Sequence, residues 1–215
     1  MLWQNLKKNY LAYLVILGGI VGTWAAFTLL LNRIEYFKNP NFIPPCSINI
    51  WLDCGIVMKS KWASLFGFPN TIIGLITYPT AIFTGLIMLL NQKNHRGLML
   101  VCNFLAGIGM ITNFVLLYIS AYLISSLCPW CILAGIATSN IFFGILHYNI
   151  LHNHIKFGKY QDFVQSRIRG GWDFLWVIIY YLFMAFFVWF AFFLRQNEIL
   201  TNRFFDPIFW LWNVK

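Results

Sequence analysis

Residues 97–155 run for fifty-nine positions without an Asp, Glu, Lys or Arg. About 20 apolar residues make one helical crossing of a bilayer, so this stretch predicts two crossings joined by a tight turn. The turn must fall near the middle, and Ser125-Ser126-Leu127-Cys128-Pro129 is the place with breaker chemistry. Helices are therefore expected over 98–120 and 128–147. The same criterion marks 10–31, 71–90 and 174–194, giving five spans. With 60% hydrophobic, 20% aromatic and 10% charged residues, and a mean hydropathy of +0.70, a soluble globular chain is excluded. A net charge of +9 would suggest nucleic acid in a soluble protein; here the fifteen Lys and Arg lie in short segments between spans, as membrane-flanking anchors beside lipid, and no nucleic-acid partner is expected.

Orientation follows from the flanking charges. Lys7 and Lys8 precede the first span and place the N-terminus in the cytoplasm. That span is too long for a signal-peptide core and lacks a small-x-small cleavage site, so an uncleaved anchor is expected. Residues 32–70 then form a non-cytoplasmic loop. The charge-free run 62–92 is broken by Gly67 and Pro69, which leaves 62–70 as a short interfacial piece before the second span. Residues 91–97, with Lys93 and Arg96, return to the cytoplasm. The basic stretch 147–173 is expected as a cytoplasmic linker, its His147, His152 and His154 solvated rather than metal-binding. The tail 195–215 ends outside, with Trp210 and Trp212 suited to an interfacial belt. Net charges of +6 inside and +3 outside, counted over this topology, support it weakly.

On this topology four of the five cysteines share the non-cytoplasmic side. Cys46 and Cys54 lie in the loop, and Cys128 and Cys131 in a Cys-Pro-Trp-Cys motif at the outer end of the fourth span. At i and i+3 on a helix, Cys128 and Cys131 occupy one face, one turn apart, within reach of a disulfide. Ser125 and Ser126 are candidate caps, and Pro129 suits the first helical position. A thiol at a helix N-terminus feels the positive end of the macrodipole, which favours the thiolate that reversible dithiol chemistry needs. A structural disulfide or half a zinc site is the alternative; zinc would need two further ligands, and no His stands within fifteen residues of the pair. Cys102, in the third span, reads as a small core residue. Two dithiol pairs on one face suggest an electron relay, the loop pair exchanging with a soluble protein and the helix-end pair meeting a lipid-soluble acceptor.

In order along the chain stand Cys46-x7-Cys54, Ser60-Lys61-Trp62, Phe66-Gly67, Asn70-Thr71-Ile72-x-Gly74-x-x-x-Tyr78 and Cys128-x-x-Cys131. Over about residues 10–150 this set resembles the vitamin K epoxide reductase family in its bacterial form. The resemblance implies an all-α integral membrane protein, a four-helix transmembrane bundle (1–150) around a quinone site, here followed by the linker 151–173 and a fifth transmembrane helix with a short outer tail (174–215). It implies that Cys46 meets a partner protein, Cys54 exchanges with Cys128, and Cys131 faces the quinone. Asn70 and Ser60 would lie at the quinone, the alternative for Asn70 being a cap on the helix that Thr71 begins. Animal members carry a Tyr four residues beyond the second CxxC cysteine, where this chain has Gly135, which favours plain quinone reduction over epoxide reduction. Many bacterial members carry a fused thioredoxin-like domain after the fifth span. Only twenty-one residues follow Leu194, so the expected partner is a separate periplasmic thioredoxin-fold, DsbA-like protein.

The expected activity is that of a bacterial inner-membrane thiol oxidoreductase, passing electrons from that partner through the two cysteine pairs to ubiquinone or menaquinone in support of disulfide formation. A DsbB-type oxidase has its CxxC in the first outer loop and a widely spaced pair in the second, the reverse of the order here. A copper transporter needs Cys, Met and His ligands at successive depths, whereas here the four cysteines crowd one face. No metal site is expected.

Overall fold

Long apolar runs with few breakers leave the backbone no partner in lipid except itself, and helices result. The computed structural model describes residues 2–49, 51–65, 67–90, 96–156, 158–169 and 172–201. Among them the α-helices are α1 (Leu2–Lys38), α2 (Cys54–Lys59), α3 (Thr71–Leu89), α4 (Arg96–Tyr118), α5 (Pro129–Leu151), α6 (Gln161–Arg169) and α7 (Trp172–Thr201). Five stretches among the described residues are long and apolar enough to cross a membrane: Asn9–Lys38, Thr71–Leu89, Arg96–Ile124, Pro129–Leu151 and Leu175–Leu194. All five expected spans are present. The tail with Trp210 and Trp212 and the turn with Lys93 lie outside the described residues.

Two boundaries differ from expectation for local reasons. Polar residues after Leu31 do not stop α1, because a helix needs no lipid to continue; it runs to Lys38, whose ammonium pairs with Glu35 at 2.9 Å. The third span passes Ser120 as one π-helical turn, Ile119–Ile124, and is stopped by Ser125 in the left-handed conformation (φ 63°). Ser120 anchors that turn: its hydroxyl donates to the Ser126 carbonyl at 2.5 Å, and its carbonyl accepts the Ser126 N–H at 3.2 Å.

The chain divides into two compact units, Met1–Leu175 and Trp176–Lys215. In the first, α1 packs against α3 and α5, and α4 packs against α5. Glycines allow the backbones to close up, as membrane helices without a hydrophobic drive between them require. A Cβ on Gly18 would stand 3.1 Å from the Ala137 carbonyl of α5, and one on Gly19 2.9 Å from the Tyr78 carbonyl of α3. Val15, Met99 and Ile145 fill the core between them. Along the second unit's part of α7, aromatic rings stack at successive turns, Phe186 on Phe190 and Trp189 on Phe193.

Residues 151–173, expected as a solvated linker, partly fold. The Gln165 side chain of α6 donates to the Ile150 carbonyl at 2.8 Å, satisfying the C-terminal end of α5. Asn149, fully buried, donates to the Met99 carbonyl (3.1 Å) and to Asn103 Oδ1 (3.2 Å), while its own Oδ1 meets His154 Nδ1 at 2.9 Å. His154 is thus a buried member of this network, not a solvated residue. Burial, with His152 and Arg96 nearby, holds its pKa below the ordinary imidazole value. The unfolded chain therefore takes up the proton first as pH falls, so stability present at neutral pH is lost from about pH 6.5 downward. Asn149→Leu strands several buried polar groups and is expected to lower stability by about 2 kcal/mol, while the acid limb, set by burial and by His152 and Arg96, should persist. Thermal unfolding in detergent from pH 7 to pH 5 measures both.

Candidate active site

At the opposite end of the bundle from Asn149, α5 begins with Pro129 in its first turn, as expected. Its cap is not a serine. Cys128 itself takes the N-cap position, with extended backbone (φ −101°, ψ 117°), and its sulfur accepts the Cys131 N–H at 3.4 Å. Ser125 is spent on ending the π turn, and Ser126, 1% exposed, donates to the Asp53 carbonyl at 3.3 Å. Sequence spacing could not separate these roles, since a cysteine is an uncommon cap.

The loop that carries the other pair is built around Asp53. Its Oδ1 accepts the Gly55 N–H (2.7 Å), the Ile56 N–H (3.3 Å) and the Ser47 hydroxyl (2.5 Å), capping α2 and drawing residues 47 and 53 together. Cys46 and Cys54 are joined as a disulfide. A parallel bridge between Leu52 and Leu127 fastens this loop to the approach to α5: Asp53 N–H donates to the Leu127 carbonyl at 3.0 Å, and Leu127 N–H to the Trp51 carbonyl at 2.8 Å. Two residues beyond Leu52 and one beyond Leu127, Cys54 and Cys128 come together, Sγ to Sγ 3.2 Å. Cys46, Cys54 and Cys128 are buried with Leu29, against Val57 and Trp130. Cys131 is a free, exposed thiol.

The Cys128 pKa is held below the ordinary thiol value. The Cys131 thiol hydrogen-bonding to its sulfur is the main cause, the Cys131 and Trp130 N–H groups add to it, and burial opposes. Since only the thiolate attacks a disulfide, Cys128 is reactive at lower pH than an ordinary cysteine. Cys131→Ala removes the main donor. The pH midpoint for methylthiolation of Cys128 by a small thiosulfonate is expected to move up in that variant; an unchanged midpoint would assign the shift to the backbone N–H groups alone.

A disulfide in van der Waals contact with a free thiol that caps a membrane helix is a thiol–disulfide exchange centre in chemistry, and sequence comparison gives it a lineage. The sequence profile of the Vitamin K epoxide reductase family matches residues 13–146. The chain belongs to that family. No curated protein sequence matches it. Family membership makes the protein a multi-pass membrane thiol oxidoreductase, and the matched segment contains both cysteine pairs.

Asn70 precedes α3 but does not cap it. Its backbone is already helical (φ −58°, ψ −23°), and its side chain makes no capping bond. Instead Nδ2 donates to the Trp62 carbonyl at 2.8 Å and Oδ1 accepts the Leu65 N–H at 3.1 Å, pinning the short 3-10 turn Lys61–Ser64 against the mouth of α3. Ser60 closes α2, donating to the Val57 carbonyl at 2.7 Å. Neither side chain hydrogen-bonds to a cysteine. Cys102 is remote from both pairs in its bonding and receives the Thr84 hydroxyl at 3.5 Å. Within the bundle a polar cluster joins three helices: the Tyr78 hydroxyl of α3 lies 2.9 Å from Thr138 Oγ1 and 3.1 Å from the Ala134 carbonyl of α5, and Asn113 Nδ2 of α4 donates to Thr138 Oγ1 at 3.2 Å. Asn113 and Thr138 were missed in the sequence, although a polar side chain inside an apolar span is itself a signal.

Proposed function

We propose that this protein is a quinone-dependent protein-dithiol oxidoreductase of a bacterial inner membrane, its N-terminus cytoplasmic and its cysteine site periplasmic. It takes electron pairs from a separate thioredoxin-fold, DsbA-like protein and so supports disulfide formation. The observation that carries the reading is the 3.2 Å approach of Cys54 to Cys128, with Cys46–Cys54 oxidised and Cys128 and Cys131 free. That is the distribution reached once an electron pair has moved from the loop to the helix.

The preceding steps are exchanges between sulfurs. A dithiol partner reduces Cys46–Cys54 and leaves as its own disulfide. The Cys54 thiolate attacks Cys128 of an oxidised Cys128–Cys131 pair, and Cys131 departs as thiolate. Cys46 then attacks Cys54, expelling Cys128, which restores the loop disulfide and leaves the CxxC pair reduced. A lowered Cys128 pKa makes Cys128 a good leaving group in this last step. With Cys46 7% exposed, the partner's entry needs the loop to loosen, and the short Leu52–Leu127 bridge is the element that would give way.

Re-oxidising the CxxC pair requires an acceptor for two electrons and two protons, which a quinone supplies when bound. The residues fit a flat ring. Cys131 is accessible, and one turn further along α5 an added Cβ on Gly135 would meet a single atom within 4 Å, leaving open space where a larger residue would block. Energetics agree, since a periplasmic oxidant near about −120 mV stays oxidised only with an acceptor of higher potential.

Purified protein mixed with a reduced thioredoxin-fold dithiol should oxidise it only when ubiquinone-1 or a short-chain menaquinone is supplied. In cells, blocking quinone synthesis should shift all four site cysteines to thiols. Turnover without added or bound quinone would overturn the proposal.

A further inference from the structure

We propose that Asn113 of α4 is the hydrogen-bond acceptor for the reduced quinone, receiving a ring hydroxyl across the bare Cα of Gly135; this rests on the quinone reading above. Asn113 lies within the apolar span Arg96–Ile124, where an amide is retained only against protein or a polar ligand. The orientation of its carboxamide is settled by its neighbours. The Gly109 carbonyl, 3.0 Å away, can only accept, so Nδ2 faces it. Thr138 Oγ1 already donates to the Ala134 carbonyl at 2.9 Å, so it too accepts from Nδ2.

Oδ1 is thereby turned away from these partners. It accepts no hydrogen bond from the protein, and it is not sealed from the surface. It is also the single atom within 4 Å of a Cβ built on Gly135, at 3.7 Å. Gly135 stands four residues beyond Cys131, about 6 Å along α5. An accessible acceptor without a partner and an open backbone thus lie about one turn of α5, roughly 6 Å of rise, from a free thiol.

The sign of the interaction follows from the chemistry. A quinone carbonyl is an acceptor and gains nothing from Oδ1, whereas a quinol hydroxyl donates to it. As Cys128 and Cys131 lose two electrons and two protons and close to a disulfide, the carbonyls become hydroxyls. Asn113 therefore binds the product of electron transfer better than the substrate, and draws the exchange toward reduced quinone.

Binding separates this from a structural role. In full-length protein carrying Cys131→Ser, so that no electrons move, ubiquinone-1 and ubiquinol-1 are titrated anaerobically by quenching of tryptophan fluorescence. Asn113→Leu should lose about tenfold in ubiquinol-1 affinity and less than about threefold for ubiquinone-1. Thr138→Val removes the interhelical bond but not Oδ1, and should keep the preference for quinol. Gly135→Ala covers Oδ1 without touching the Asn113 bonds and should abolish the preference, which keeps the test decisive if Asn113→Leu does not fold. Equal losses for both ring states in Asn113→Leu, or a Thr138→Val variant that reproduces its profile, would overturn the inference. A Cys131→Ser parent that binds neither form would instead overturn the quinone reading on which it rests.

Discussion

Cys128→Ala is expected to bring oxidation of a dithiol partner down to background, while Cys102→Ala retains near wild-type turnover. The asymmetry follows from where each sulfur sits. Cys128 is the one cysteine in contact with both pairs: 3.2 Å from Cys54 on one side, and hydrogen-bonded to Cys131 on the other. On the proposed path no electron pair crosses from loop to helix without it, because Cys131 makes no contact with the loop disulfide among the described bonds. Alanine in its place also removes the sulfur that caps α5, and cap loss costs about 1 kcal/mol. Cys128→Ser keeps a capping oxygen and separates the two effects: it should be as inactive as Cys128→Ala but melt closer to wild type. Cys102 gives up the Thr84 hydroxyl bond and its packing against the core, a loss of about 1–2 kcal/mol. Quinone-dependent oxidation of a reduced partner, read beside thermal unfolding, distinguishes the cases. An inactive but well-folded Cys102→Ala would mean that electrons take a route through the span.

The sequence carried the parts of this architecture that bilayer physics alone determines. Charge-free runs must be helical in lipid, so five spans could be counted, and counting placed Cys46, Cys54, Cys128 and Cys131 at one end of the bundle. What joins the two pairs was invisible to that argument. Leu52 and Leu127 look like ordinary apolar residues, and their bridge uses backbone groups that no side chain advertises. Asp53 is one acidic residue in a loop until the Gly55, Ile56 and Ser47 donors converge on it. Asn70 shows the opposite failure. Its position before Thr71 matches a cap by spacing, but a cap also needs extended backbone, and spacing says nothing of φ and ψ. Asn113 was passed over because it sits in a run otherwise read only for its length.

The double variant Cys46→Ser, Cys131→Ser is expected to accumulate a Cys54–Cys128 crosslink in most molecules under mild oxidation with diamide. On the proposed relay that bond is transient in the intact protein, since Cys46 can reclaim Cys54 and Cys131 can reclaim Cys128. Removing both resolving sulfurs leaves two thiols whose partners are each other. Diamide takes the two electrons and two protons released as the bond closes. Little rearrangement is required, because the sulfurs already stand 3.2 Å apart and the backbone on each side is held by the Asp53 N–H to Leu127 carbonyl bond at 3.0 Å. Burial of Cys54 and Cys128, at 1% and 2% exposure, protects the product from external thiols and lets it be isolated. Cys102 does not compete, packed as it is with the core of the bundle rather than with the loop. Non-reducing peptide mapping reads the result directly. A further Ser126→Ala change, which deletes the hydroxyl bonded to the Asp53 carbonyl, should slow crosslinking without abolishing it, because the two backbone bonds of the bridge remain. Free thiols at both positions in correctly inserted protein would mean that loop and helix do not exchange, and the path from Cys54 to Cys128 would have to be given up.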